Sequence, residues 1–265
     1  MKYVSLLKTG FFHPDKVVKY LEIEMKKKFR INHRKPPKPS RDCVNYFEKT
    51  VYSEKGEDGI IEYIFSVIGT TNKFFVEFGV GDGKVCNTRY LREKGWDGLL
   101  MDPKDNNHSF IKKEFVTAEN VHNLFEKYRV PKNFDLLSID VDGNDYYIWK
   151  SINNYNPRVV IIEYNSSYPP NESRVIEYDP NFHWDGTDYY GASLLALIKL
   201  AEEKGYTLVC CNNKGVNAFF LKDDLLNEKI KKQDFNKLYR FPQYGEFVKG
   251  IYRGHPKSNR KMIEI

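Results

Sequence analysis

Long apolar runs are missing from this 265-residue sequence, and no stretch approaches the ~18 residues that a membrane-spanning helix requires. Cysteine is scarce. Cys43, Cys86, Cys210 and Cys211 show no metal-ligand spacing. Two of them are adjacent in an apolar run, where vicinal pairs rarely bridge, so reduced thiols in a cytosolic protein are the simplest account. The opening Met1-Lys2-Tyr3-Val4-Ser5-Leu6-Leu7-Lys8 meets charge too soon for a secretory signal, and a cytoplasmic location is expected. Acid is absent from Met25 to Arg41, where eight Lys and Arg contribute to a net charge of +6. Pro36-Pro37-Lys38-Pro39 interrupts that run, which reads as a solvated linker able to meet phosphates or an acidic surface. No recognised binding module or interleaved aromatics accompany the basic residues, so nucleic acid is not an expected partner.

Hydrophobic residues make up 41% and aromatics 15% of the chain, enough for a sizeable core. Val17, Val18, Leu21 and Met25 recur at helical spacing and predict a helix over about Asp15 to Phe29. A second helical pattern covers Gly59 to Phe65. From Lys73 onward short apolar runs alternate with helical ones. The expected strands are Phe74–Phe78, Gly98–Asp102, Phe115–Val116, Phe134–Asp140 and Arg158–Glu163, with helices over Arg89–Lys94, Asn120–Tyr128 and Asp145–Ile152. A helix over Ser193–Lys204 precedes two strands, Thr207–Cys211 and Ala218–Leu221, joined by the short Asn212-Asn213-Lys214-Gly215 turn of an antiparallel hairpin. The fold class is therefore α/β, a doubly wound, mostly parallel seven-stranded sheet with a C-terminal antiparallel hairpin.

The first strand runs into Glu77-Phe78-Gly79-Val80-Gly81-Asp82-Gly83, whose glycines let the backbone turn and let a ligand approach closely. Glu77 stands at the strand end, where a carboxylate can take up an amino group. Asp102 ends the second strand, where an acid can hold ribose hydroxyls. Thr117-Ala118-Glu119-Asn120 follows the expected third strand, where Ala118 and Glu119 would read an adenine edge. Asp82, Asn87 and Asp140 complete the expected cofactor contacts. A dinucleotide enzyme prefers G-x-G-x-x-G, but Lys84 occupies the place of that third glycine. The compact form suits S-adenosylmethionine (SAM) instead.

Two further acids end strands at the same mouth: Asp140 in Ser138-Ile139-Asp140-Val141-Asp142-Gly143, and Glu163 in Ile161-Ile162-Glu163-Tyr164-Asn165. Adjacent parallel strands lie ~4.8 Å apart, so Asp140 and Glu163, with Asn165 as a neutral third ligand, could share Mg²⁺ or Mn²⁺. The alternative is that Asp140 caps a helix and Glu163 pairs with a base. Asp142 or His183 could then serve as general base. Residues 165–191, with aromatics and His183-Trp184-Asp185-Gly186, are too long for an ordinary connection and read as a substrate lid.

Together with Ser53-Glu54-Lys55-Gly56-Glu57-Asp58-Gly59-Ile60, these motifs resemble the FkbM-type SAM-dependent methyltransferases over about Tyr52 to Lys222. Many of those act on sugars. The resemblance implies SAM as cofactor, held by Glu77, Gly79, Gly81 and Asp102, and O-methylation as the chemistry. The sequence departs from the common I-D-V-E-G form in having Asp142 at the Glu position and Asn144-Asp145 after the glycine. The expected organisation is an extension over residues 1–50, a methyltransferase domain over 51–225 and a tail over 226–265. The expected substrate is a small-molecule sugar or nucleotide sugar, with a homo-oligomer left open. Methylation of a nucleic acid, a protein or another small molecule, and a non-catalytic binding protein of the same fold, are the rival readings. No Pro-Pro-Tyr-type tetrapeptide of amino-methylating nucleic-acid enzymes follows the fourth strand.

Overall fold

The computed structural model describes residues 43–104, 108–248 and 250–265; the helix expected over Asp15 to Phe29 and the basic run of residues 25–41 lie outside them. The described chain enters through a local device. The Asp58 carboxylate accepts the backbone N–H groups of Val51, Tyr52 and Ser53 at 2.7, 2.7 and 2.8 Å, and Ser53 Oγ accepts the N–H of Asp58 in return. This satisfies donors that a helix start would otherwise leave bare, and helix α1 (Glu57–Ile68) follows. A side chain at Gly59 would put its Cβ 2.1 Å from the Phe47 carbonyl, so only glycine fits there. The Ser53–Ile60 motif is thus a structural staple.

The main sheet holds seven strands: β1 (Phe74–Phe78), β2 (Asp97–Asp102), β3 (Ile111–Lys113), β4 (Asn133–Ile139), β5 (Asn156–Glu163), β7 (Tyr206–Cys211) and β8 (Asn217–Lys222). Their order is β3-β2-β1-β4-β5-β8-β7. All pairings from β3 to β5 are parallel, and β8 runs antiparallel to both β5 and β7. Helices α2 (Arg89–Glu93), α3 (Val121–Lys127), α4 (Asp145–Ser151) and α5 (Leu194–Lys204) connect the strands. The central strands carry continuous apolar runs because both faces are covered: Val159 to Ile162 are all fully buried.

One expected strand is misplaced. Phe115–Val116 is coil, and the third strand lies earlier, at Ile111–Lys113. Ile111-Lys112-Lys113 pairs with Leu100, Met101 and Asp102 through its backbone, so an edge position tolerates two lysines that hide it from a hydrophobic scan. All four cysteines are free, and among the described residues no helix is long and apolar enough to cross a membrane.

Residues 226–265 fold back onto the segment after β5. Tyr164 Oη donates to the Arg240 carbonyl at 2.7 Å, and Tyr239 Oη to those of Ser166 and Tyr168. Short strand β6 (Arg174–Val175) pairs with β11 (Ile263–Glu264) at the end of the chain. Between them come helix α6 (Phe235–Leu238) and the β9 (Phe247–Val248)–β10 (Ile251–Tyr252) hairpin. The last forty residues and the 165–191 segment therefore hold each other.

Asp135, fully buried in β4, accepts from the Thr71 and Lys73 N–H groups, from Thr71 Oγ1 and from Arg158 Nη1 at 2.8 Å. Removing the carboxylate strands a largely buried guanidinium and two backbone donors. Asp135→Ala should cost about 3–5 kcal/mol, read as a lower urea midpoint. A loss under ~1 kcal/mol would show that this network is not a fastening of the sheet.

Candidate active site

The site begins where β1 stops. Gly79 has φ +71°, and a Cβ there would lie 1.6 Å from the Asp140 carbonyl oxygen. Its N–H donates to the Met101 carbonyl at 2.9 Å. The ends of β1, β2 and β4 are thereby drawn together. Gly81, also at positive φ, donates its N–H to Asp102 Oδ2 at 2.8 Å. Above them opens a cleft of about 200 Å³. It lies where neighbouring connections diverge to opposite sides, the ligand position of open α/β sheets. Gly79, Gly81, Asp102 and Asp140 line it as expected, with Met101, Phe115 and Val116 as an apolar side. Asn144 Oδ1, also at the cleft, is buried without a hydrogen-bond partner among the described residues. A carboxylate on the wall, an apolar side, a close-packed glycine turn and an orphaned acceptor suit a nucleoside cofactor such as SAM.

Other expected contacts stand elsewhere. Glu77 is buried and does not line the cleft. Its oxygens accept the N–H groups of Asn87 and Thr88 at 2.8 and 2.9 Å and the Thr88 hydroxyl. It is a tie between β1 and the start of α2. Burial raises its pKa, and the bonds from Thr88 and Asn87 oppose that rise. Asn87 is buried with its amide on Ser138 Oγ, and Asp82 is exposed and pairs with Lys84. Ala118 and Glu119 are outside the lining, and Glu119 accepts from Tyr178. Because β3 ends at Lys113, the segment after it that faces the cleft is Glu114-Phe115-Val116.

The Asp140–Asp145 loop is built around its acids. Asp145 accepts the N–H groups of Val141 and Gly143, both at 2.9 Å, which fixes the turn ahead of α4. Asp142 sits at φ +56° and is exposed. Gly143 has no side chain because Phe182, which also lines the cleft, lies where a Cβ would be, 2.3 Å away. Asn144 donates to the Asp179 carbonyl at 2.7 Å, so the Asn-Asp pair pins both the loop and the 165–191 segment.

Carboxylate oxygens of Asp140, Asp142 and Glu163 lie within 4.8 Å of one another. Asn165, expected as the third ligand, is engaged elsewhere. It is fully buried, its amide donates to the Asp188 and Tyr190 carbonyls, and its Oδ1 accepts the Ser167 N–H. Asp142 takes its place because a left-handed turn brings it back over the strand ends. Glu163 Oε2 is sealed from solvent without a hydrogen-bond partner among the described residues. Burial, then mutual repulsion, raises the pKa of Asp140 and of Glu163 well above the usual range, and burial pushes Asp145 up to about 6.

His183 is exposed, its ring 5.8 Å from that of Phe115 at the cleft. A second histidine, His255, escaped the sequence reading because it lies in the tail, far from any motif. Its ring packs against Trp184, Tyr190 and Tyr244, with centroids at 4.6, 5.7 and 5.1 Å. Burial lowers its pKa, opposed by the charges of Asp142 and Asp188.

The strand order, with the reversed strand inserted next to the edge, is that of the class I methyltransferase fold. Among solved structures the chain is similar to a SAM-dependent methyltransferase from Clostridium acetobutylicum ATCC 824, with 14% identity over 63% of this chain and 90% of that one and a TM-score of 0.36. It is also similar to a putative ribosomal RNA methyltransferase from Plasmodium falciparum (13%, 64% and 97%, TM-score 0.35) and to the mitomycin 7-O-methyltransferase MmcR (14%, 61% and 53%, TM-score 0.30). No family model and no curated protein matches the sequence.

The raised carboxylates give a pH signature. Unfolded, they titrate near roughly 4, so the folded chain binds more protons above that pH. Their stabilisation is complete below the unfolded pKa and is lost as pH rises through the folded value, about 6 for Asp145. Thermal midpoints in chelator at about pH 5.5 and about pH 7.5 test this. Glu163→Gln, which removes one such group, should stabilise the protein more at the higher pH. An equal effect at both would show that Glu163 titrates normally.

Proposed function

We propose that the chain is a SAM-dependent O-methyltransferase acting on a sugar hydroxyl, carried on a nucleotide-linked or capsular sugar. The observation that carries the reading is one mouth where a glycine-lined cleft with Asp102 on its wall adjoins three unpaired carboxylates. Asp102 would hold the ribose, Met101, Phe115 and Val116 the adenine, and the turn at Gly79 and Gly81 the methionine portion. The SAM sulfonium carries an electrophilic methyl. The protein has to set the acceptor oxygen in line with the S–CH₃ bond, keep water out and receive a proton. Phe182 of the 165–191 segment lines the cleft and would help to exclude water. A rigid binder without turnover would gain nothing from keeping three carboxylates side by side at the cost of their repulsion.

Asp140, Asp142 and Glu163 form an oxygen-only donor set that fits Mg²⁺ or Mn²⁺. Such an ion would neutralise the cluster and acidify a bound hydroxyl. Asp142, exposed at the rim, is the member best placed to meet the acceptor as well.

Calorimetry should show saturable SAM and S-adenosylhomocysteine binding that Asp102→Ala weakens at least about tenfold, the ~1.4 kcal/mol expected from losing a hydrogen bond to a charged group. NAD should not compete. Incubating the protein with SAM and a panel of nucleotide-linked hexoses should give a product heavier by one methyl, and EDTA should suppress it. Tight NAD binding without a SAM response overturns the cofactor reading, and full activity in EDTA removes the metal.

A further inference from the structure

Asn144 follows β4 in the loop that carries Asp140 and Asp142, and the residue is more than nine-tenths buried. One end of its amide is committed. Nδ2 donates to the Asp179 carbonyl at 2.7 Å. A carbonyl oxygen can only accept, so this bond fixes which end of the amide is nitrogen and which is oxygen. The other end, Oδ1, is sealed from solvent and accepts nothing from the described residues, although Asn144 lines the cleft. An amide oxygen held in that way is costly, because burial has removed the water it would otherwise bind. Its missing partner is an N–H or O–H donor, and the cleft is the side from which one can arrive.

The place of Asn144 in the sheet decides which ligand group it meets. The strand order puts β4 across β1 from β2. Asp102, Met101, Phe115 and Val116, assigned above to ribose and adenine, stand on the β2 and β3 side of the cleft. Asn144 stands on the other side, in one loop with Asp140 and Asp142. Its neighbour Gly143 gives up its side-chain space to the Phe182 ring, and Asp179, whose carbonyl holds the amide, belongs to the same 165–191 segment as Phe182. This is the wall next to the acid cluster, where an acceptor lies if its reacting oxygen is to reach the carboxylates.

We propose that Asn144 determines acceptor specificity: its Oδ1 accepts a hydrogen bond from a second hydroxyl of the sugar, one that is not itself methylated. This rests on the methyltransferase reading above. The acceptor is then a polyol that turns two hydroxyls to one wall, the reacting oxygen to the carboxylates and another O–H to Asn144. The bond from Nδ2 to Asp179 keeps the amide from swinging its oxygen away to a different donor. A sugar lacking that hydroxyl would leave a buried acceptor unpaired beneath it. Sites that read a hydroxyl by hydrogen bonding reject the analogue without it far more strongly than shape alone allows.

The test uses the full chain and the nucleotide-linked hexose that gains a methyl in the screen above. Each of its other sugar hydroxyls is replaced singly by hydrogen or by fluorine, which keeps a small polar atom in place but cannot donate. At one position both replacements should lower kcat/KM of the parent chain at least about tenfold. In Asn144→Ala, and in Asn144→Leu, which fills the space of the amide without its oxygen, that penalty should shrink to within about threefold. Penalties at the other positions, and the affinity for S-adenosylhomocysteine, should stay within about threefold of the parent. A role confined to the bond with Asp179 would slow every sugar alike and leave the ratios unchanged, and that result overturns the proposal. So does a parent chain that accepts every analogue within about threefold, a measurement that needs no variant. Loss of S-adenosylhomocysteine binding by both variants with unchanged sugar ratios also overturns it, by placing the donor on the cofactor. If no hexose on the panel gains a methyl, the methyltransferase reading fails first and the role of Asn144 falls with it.

Discussion

The contact between Gly79 and the Asp140 carbonyl is the constraint on which the site depends. Two strand ends approach so closely there that no other residue fits: a methyl group would have to occupy the position of an oxygen, 1.6 Å away. The same residue donates to β2 through Met101. Because the three backbones converge at that point, Asp102 and Asp140 face one cleft although they are 38 positions apart in the sequence. A looser junction would separate the two carboxylates, and chemistry at a shared cleft depends on alignment within about an ångström.

Buried carboxylates recur through the structure, and their treatment sorts them by use. Glu77, Asp58, Asp135 and Asp145 all accept several N–H or O–H donors and act as knots in the backbone. Desolvation of each is offset locally. Asp140 and Glu163 accept no such hydrogen bonds from the described residues, and their repulsion with each other and with Asp142 is left standing. A fold seldom retains that unless a cation or a developing positive charge arrives to relieve it.

Much of the architecture was legible because a doubly wound sheet writes itself in buried strands and glycine turns. Phe74–Phe78 and the hairpin around Asn212–Gly215 fell where the pattern placed them. Ile111–Lys113 did not, since an edge strand with two lysines carries no hydrophobic signal, and the displaced boundary set the expected adenine contacts at Ala118 and Glu119, outside the cleft lining. The reading of strand-end acids found Asp140 and Glu163 but selected Asn165, because sequence distance cannot tell a side chain aimed at the mouth from one consumed by the carbonyls of Asp188 and Tyr190. Asp142 needed its left-handed backbone to be seen, and His255 needed a 67-residue return of the chain from Asp188, which no local pattern records.

That return has a consequence in time. On the ribosome, β1 to β5 are made well before the residues that hold the 165–191 segment in place. The partners of Asp188, Lys257 and Ser258, lie 69 and 70 positions downstream, and the β6–β11 pairing waits for Glu264. Such long-range closures form late, after the local core has condensed. A nascent chain would thus pass through a stage in which the parallel half of the sheet has formed and the segment over its strand ends is still unfastened.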